Sequence, residues 1–328
     1  MKVIFDTDPG VDDALALLYL ACHPAVELLG ITTVFGNASA ETTTRNALFL
    51  CERWRIDAPV HPGAGRPFAP ERPDETDWPT LIHGRNGLGD IDLGEPHGRE
   101  AEALPAHRFI VDTLRANPGE VTILAVGRMT NLALALREAP EIAELARGVV
   151  IMGGAFLEPG NVTPAAEANI FGDPEAADLD VTRQTVMTSE ALKDIAREGG
   201  ADAELLRELS LGYVRFYSAQ VIDGMVVHDA AACVRLTDPD LFRTVTGAVR
   251  VAGEGVALGA TILKPDSIPF PPGAWDGRPS QTVCVGVDAD AVLRRIRDTI
   301  VAGQAHRAGA GETRTGVGSV LSRADPLS

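Results

Sequence analysis

The sequence predicts one α/β domain: an open, mainly parallel β-sheet with helices on both faces. Three observations point there. Short apolar runs alternate with stretches of helical periodicity through the first two hundred residues. Those runs are nearly continuous in Val, Ile, Leu and Phe, so each strand is buried on both sides, as in a parallel sheet covered by helices. Polar or glycine-containing clusters then follow the carboxyl end of one run after another, the edge at which open α/β sheets bind ligands.

The first run, Val3-Ile4-Phe5, leads into a tight turn at Pro9-Gly10 and a helical pattern from Ala14 to Ala21. Asp12 or Asp13 suits the start of that helix, where a carboxylate accepts free N–H groups and meets the positive end of the dipole. The second run, Leu28 to Phe35, ends at Gly36-Asn37, and a helix follows from about Ser39 to Trp54. Residues 62–100 are rich in Pro, Gly and Asp with little periodicity, and irregular segments of that length are usually lids or binding loops. Within them Ile82-His83-Gly84-Arg85-Asn86-Gly87-Leu88-Gly89 reads as a mobile segment, with His83 its candidate substrate contact. Val121 to Val126 is a third buried strand ending at Gly127, with a helix from Thr130; Gly148 to Met152 is a fourth, ending at Gly153-Gly154. Tyr213, Phe216 and Tyr217 have helical spacing and form a core or lid face. From about Gln304 to Ser328 the chain is small and polar without pattern, so the domain is expected over 1–303 with a flexible tail over 304–328.

At 328 residues and 45% hydrophobic composition the chain can build a sizeable core. Asp and Glu outnumber Lys and Arg by 46 to 29, a formal net charge of −17 that opposes binding to nucleic acid or anionic membranes. The cysteines, Cys22, Cys51, Cys233 and Cys284, lack metal-ligand spacing and sit in apolar contexts, as buried free thiols do. No apolar run approaches the roughly 20 residues of a membrane span, and the N-terminus runs into a strand without a signal-peptide pattern. A soluble, reduced, cytoplasmic protein is expected.

Asp6-Thr7-Asp8-Pro9-Gly10-Val11-Asp12-Asp13 places four carboxylates within eight residues. One is explained as a helix start. The others repel one another unless a proton or cation relieves them, and an oxygen-only donor set favours a hard ion such as Ca²⁺ or Mg²⁺. A second constellation, Gly160 to Asn169, offers Asn161, Glu167 and Asn169 in a loop before a helix, groups that pair well with sugar hydroxyls or serve as ordinary loop chemistry. Asp173-Pro174 reads as a helix start, with Pro at the first position. A third, Val226-Val227-His228-Asp229-Ala230, is a structural His and a cap when read alone, and a proton donor and metal ligand when set opposite the acidic cluster.

Together these residues resemble the nucleoside hydrolases, the inosine-uridine-preferring N-ribohydrolase family. The resemblance rests on Asp6 to Ala14, Thr33-Val34-Phe35-Gly36-Asn37, Gly127-Arg128-Met129-Thr130-Asn131, Met152-Gly153-Gly154, the 160–175 segment and His228-Asp229-Ala230, in the family's order over roughly residues 2–235. It implies a Rossmann-like fold and a Ca²⁺-dependent enzyme, acting in nucleoside salvage, that hydrolyses ribonucleosides to base and ribose. By position Asp8, Asp13, Asp229 and the Val126 carbonyl would hold calcium, with Asp8 also activating the attacking water. Asp12, Asn37, Asn161, Glu167 and Asn169 would bind the ribose hydroxyls and Met152 would line the pocket. Asp6 would support the cluster from behind, and His228 matches a position that protonates the leaving base in some members. Homodimers or homotetramers are common in the family. Two departures stand out: Ala168, where relatives usually carry Phe beside the sugar, and Val251-Ala252-Gly253-Glu254-Gly255, where relatives carry a Thr-rich strand.

Two other readings compete. A Mg²⁺-dependent phosphohydrolase of the haloacid-dehalogenase type would use Asp6 as nucleophile, although Gly10 and the two further aspartates do not fit its Asp-x-Asp-x-Thr or Val pattern. A nucleoside- or sugar-binding protein without turnover would keep the pocket, with Ala168 as its signal.

Overall fold

In a computed structural model of the chain, residues 1–68, 78–94, 98–174, 185–219 and 222–315 are described. In chain order the elements are β1 (Lys2–Thr7), α1 (Val11–Cys22), β2 (Glu27–Thr33), α2 (Ala40–Arg53), β3 (Val60–His61), α3 (Trp78–His83), α4 (Ala106–Ala116), β4 (Val121–Ala125), α5 (Thr130–Glu138), α6 (Ile142–Leu145), β5 (Gly148–Ile151) and α7 (Ala168–Gly172). Then come β6 (Val186–Met187), α8 (Ser189–Ser218), β7 (Met225–Val226), α9 (His228–Thr237), β8 (Phe242–Val251), β9 (Thr261–Pro265), β10 (Ser280–Val287) and α10 (Ala289–Thr315).

The central sheet runs β3-β2-β1-β4-β5 and every pair in it is parallel. The expected α/β architecture, a mostly parallel sheet with helices, is therefore present. Val3, Ile4 and Phe5 on β1 are fully buried, which is why that strand reads as an uninterrupted apolar run. Helix α1 is buried on nearly every side and packs against α8, α9 and α10, so its sequence is apolar all round rather than striped.

Register decides where the site forms. Asp6 pairs with Thr32 on one side and Ala125 on the other, and Ala125 pairs with Ile151. Parallel strands in that register end at one edge, so the segments after β1, β2, β4 and β5 leave the sheet side by side.

Several expectations are refined. Helix α2 starts as read, with Ser39 accepting the Thr42 N–H at 3.2 Å. The cap of α1 is Gly10; Asp13, in the first turn, turns back to accept the Gly10 N–H at 2.8 Å. The irregular 62–100 stretch contains the short helix α3. Three cysteines are buried, Cys284 is half-buried, and all four are free thiols. Among the described residues no helix is long and apolar enough to cross a membrane.

Two features of the C-terminal third were not legible. β8, β9 and β10 form a separate antiparallel sheet ordered β10-β8-β9. The segment from Gln304, read as patternless tail, continues α10 as far as Thr315, while residues 316–328 lie outside the described residues. Extending an existing helix needs no new nucleus, and the alanines of this segment are strong helix formers, so no amphipathic stripe is required. At Gly303 the helix touches α1, where an added Cβ would lie 2.4 Å from Cys22 Cβ and 2.6 Å from its carbonyl oxygen. Gly303→Val should therefore destabilise the protein by about 1–3 kcal/mol through overpacking. A lowered urea midpoint with unchanged helical circular dichroism in buffer would show it.

Candidate active site

Asp8 leaves β1 at the common edge, and the chain brings a backbone donor to it. The Asn37 N–H donates to Asp8 Oδ2 at 2.8 Å, while Asn37 Nδ2 donates to Asp13 Oδ2 at 2.9 Å. Asp13 Oδ1 accepts the Thr7 hydroxyl at 2.5 Å and the Asp8 N–H at 3.3 Å. The close approach explains two glycines: a Cβ at Gly36 would lie 1.9 Å from Asp8 Oδ2, and one at Gly127 would lie 2.8 Å from Asp8 Oδ1. Neither position accepts a side chain while Asp8 stays in place.

Asp229, in the first turn of α9, is contributed from across the pocket. Ligand atoms of Asp12, Asp13 and Asp229 lie within 4.8 Å of one another, all buried, and among the described residues Asp12 Oδ1 has no hydrogen-bond partner. Burial pushes the proton affinities of Asp8, Asp12 and Asp229 well up, and their repulsion of one another and of Asp13 adds to it. Asp13 is raised less, since Thr7, Gly10 and Asp8 donate to its charged form. Converging, buried, oxygen-only and short of positive charge, this donor set fits a hard cation.

Asp6 is placed differently. It is fully buried behind the cluster, does not line the pocket, and its Oδ1 accepts Thr32 Oγ1 at 2.5 Å and Asn131 Nδ2 at 2.8 Å. Burial raises its pKa to about 6 against those two donors. A nucleophile must reach its substrate, so this position does not serve the phosphohydrolase reading.

The second wall comes from α7. Glu167 caps that helix, accepting the N–H groups of Asn169 at 3.0 and 2.9 Å and Ile170 at 3.2 Å, and the Gly154 N–H at 3.2 Å. Asn169 Nδ2 donates to the Val126 carbonyl at 2.6 Å and to the Met152 carbonyl at 3.2 Å. Asn161 Oδ1 accepts the Ala168 N–H at 3.0 Å. Asn161, Glu167, Ala168, Asn169, Met152 and Val126 thus share one side of the pocket.

The third wall is aromatic. Tyr213 and Tyr217 stack at 5.0 Å, His83 meets Tyr213 edge-on at 5.4 Å, and Pro79, Ile82 and His228 complete it. His83 Nδ1 accepts the Val11 N–H at 3.2 Å, which leaves its proton on Nε2. Burial lowers the His83 pKa to about 3, so its 3.8 Å approach to Asp12 is a contact of a neutral ring and not an ion pair.

The structure brings Asp8, Asp12, Asn37, His83, Val126, Met152, Asn161, Glu167, Asn169, His228 and Asp229 to one pocket, with Asp13 directly beneath. Arg128 was missed. It lines the pocket, stacks 4.5 Å above Phe35 and rests on Gly172, where a Cβ would lie 2.3 Å from its Nε. A lone Arg in a loop has no periodicity to announce it. Tyr213 and Tyr217 were visible only as an aromatic helix face.

The sequence profile described as inosine-uridine preferring nucleoside hydrolase matches residues 3–294. The chain belongs to the nucleoside hydrolase family. It is 37% identical over 312 residues to Uridine nucleosidase 1 of Arabidopsis thaliana, covering 90% of this chain and 92% of that protein. It is 38% identical over 276 residues to the pyrimidine-specific ribonucleoside hydrolase RihB of Escherichia coli, covering 80% and 86%. Among solved structures, the plant nucleoside hydrolase PpNRh1 superposes with a TM-score of 0.86 at 34% identity, over 92% of this chain and 99% of that one. The purine-preferring ribonucleoside hydrolase from Gardnerella vaginalis gives 0.84 at 32%, over 93% and 99%. This nucleoside hydrolase is accordingly an enzyme acting on N-glycosyl bonds, and the phosphohydrolase reading falls.

The His83 environment gives a pH prediction for this hydrolase. Between about pH 6.5 and 3 the unfolded chain binds a proton at His83 that the folded protein refuses, so stability falls as pH drops through that window. His83→Gln should flatten that fall relative to wild type in urea titrations from pH 7 to 5. Imidazole NMR should show His83 neutral throughout.

Proposed function

We propose that this nucleoside hydrolase releases ribose from ribonucleosides by direct attack of water on the anomeric carbon, with Ca²⁺ held by Asp8, Asp13, Asp229 and the Val126 carbonyl. The observation that supports it is the convergence of buried carboxylates opposite an aromatic and imidazole wall. The ion, when bound, lowers the pKa of water and orients the sugar hydroxyls. Asp12, Asn37, Asn161, Glu167 and Asn169 hold the ribose hydroxyls, and Met152 packs against the sugar. Asp8 accepts the proton of the attacking water. The surrounding carboxylates stabilise positive charge as it develops on the ribose. One displacement from the far side inverts the anomeric centre. His228, at the N-terminal end of α9 and 7% exposed, donates a proton to the departing base.

Of the relatives named above, the uridine nucleosidase and the pyrimidine-specific hydrolase, at 37% and 38% identity against 32% for the purine-preferring one, support a pyrimidine nucleoside, uridine first, as substrate. Four free thiols support the cytoplasm as its compartment. The family resemblance supports a homo-oligomer, dimer or tetramer.

The deciding experiment is a reducing-sugar assay over uridine, cytidine, inosine and adenosine, with calcium present and then chelated. Ribose release from the pyrimidine nucleosides, lost on chelation, is expected; stoichiometric zinc in the purified protein, or full activity without metal, would refute the ion assignment. Asp8→Asn should keep the fold and cost more than the roughly 10²–10⁴-fold of general acid–base catalysis alone, because it removes a negative charge from the ion's ligand set together with the base. Activity within tenfold of wild type would sink that role.

For His228→Ala, turnover of uridine should collapse while p-nitrophenyl riboside, whose phenolate leaves without a proton, is little affected. Equal losses on both substrates would remove His228 from the mechanism.

A further inference from the structure

Outside the pocket lining, Asp173 is a fully buried carboxylate at the C-terminal end of α7. Its Oδ2 accepts two donors from different parts of the chain: the Thr130 hydroxyl at 2.5 Å, from the first residue of α5, and the Phe68 N–H at 2.9 Å. Among the described residues its Oδ1 has no hydrogen-bond partner. Burying a carboxylate with one idle oxygen is costly, while removing it would strand the Thr130 hydroxyl and the Phe68 N–H. Burial alone therefore gives no reason for an acid here.

Its partners supply one. Thr130 stands four residues after Val126, whose carbonyl accepts Asn169 Nδ2 at 2.6 Å. Asp173 stands four residues after Asn169. The same two short segments are thus joined twice, once at the pocket by Asn169 and once behind it by Asp173. The neighbouring Asn131 makes a parallel clamp, accepting the Ala64 N–H at 2.9 Å while donating to Asp6 Oδ1 and to the Thr33 carbonyl at 2.9 Å. Residues 64 to 68 are therefore pinned at both ends by α5 and α7.

We propose that Asp173 is a positioning residue for the ribose site: by locking α7 onto α5 it sets Asn169 on the Val126 carbonyl. This rests on the functional reading above for what that contact does, but the contact itself is structural.

The test compares Asp173→Ala, Asp173→Asn and Thr130→Val. Crystals of Asp173→Ala should show Asn169 Nδ2 beyond hydrogen-bond reach of the Val126 carbonyl. Its KM for uridine should rise and kcat/KM fall on the order of 10²-fold, as small misplacements of binding groups do. Asp173→Asn keeps an acceptor for both donors and should stay within about tenfold, the cost of trading a charge-assisted for a neutral hydrogen bond. Should Asp173→Ala fail to fold, Thr130→Val, which removes one clamp at constant shape, carries the test with the same readouts. A variant with an intact Asn169–Val126 contact and unchanged KM overturns the proposal, as does a lowered melting temperature with normal kinetics well below it. If wild type releases ribose from no nucleoside, the catalytic reading fails, and the variant crystals still decide for or against Asp173.

Discussion

Mutual repulsion among Asp8, Asp12, Asp13 and Asp229 sets the terms for the elements around them. Buried like charges are costly, so the protein surrounds them with donors aimed at the charged form: the Thr7 hydroxyl, the Gly10 and Asn37 N–H groups and the Asn37 amide. Glycines at 36 and 127 let the backbone come close enough to Asp8 for that solvation to work. What the donors leave unrelieved, seen in the idle Asp12 Oδ1 and the raised proton affinities, is what a hard cation would satisfy. The same field would favour positive charge developing on a bound sugar.

The wall contributed by α7 is built the other way, with its polar groups already used. Glu167 spends both oxygens on backbone N–H groups, and Asn169 is tied to two carbonyls, so these side chains are held in place rather than adapting to a ligand. Preorganised groups lose little entropy on binding. Ala168 presents only a methyl group to this wall, and Arg128 on its Phe35 and Gly172 seat adds a cation to the acid-rich pocket.

Legibility followed the length scale of the interaction. Strands β1 and β4 were readable because burial on both faces writes a continuous apolar run, and β2 and the edge strand β5 carry apolar runs too, although Val149 of β5 is exposed. Helix α2 was readable from its Ser39 cap. The C-terminal sheet was not: β8 alternates buried and exposed positions too irregularly to stand apart from a loop, and its stability comes from its partners β9 and β10. Nor was the extension of α10 past Gln304, which borrows its start from the preceding turns.

The sequence by itself determined the chemistry available: an oxygen-rich acidic cluster after the first strand, amide and carboxylate groups before a short helix, and a His-Asp pair far downstream, in an order that resembles one family. Tertiary structure alone decided which of these groups meet. Strand register placed Asp8 beside Asn37 and Val126, and the packing of α1 on α9 carried Asp229 to Asp12 and Asp13. It also divided four neighbouring aspartates into roles, putting Asp6 behind the sheet edge and Asp8 and Asp12 in the pocket. The physical reason is that side-chain direction and burial depend on contacts between segments two hundred residues apart, and no local pattern encodes those distances.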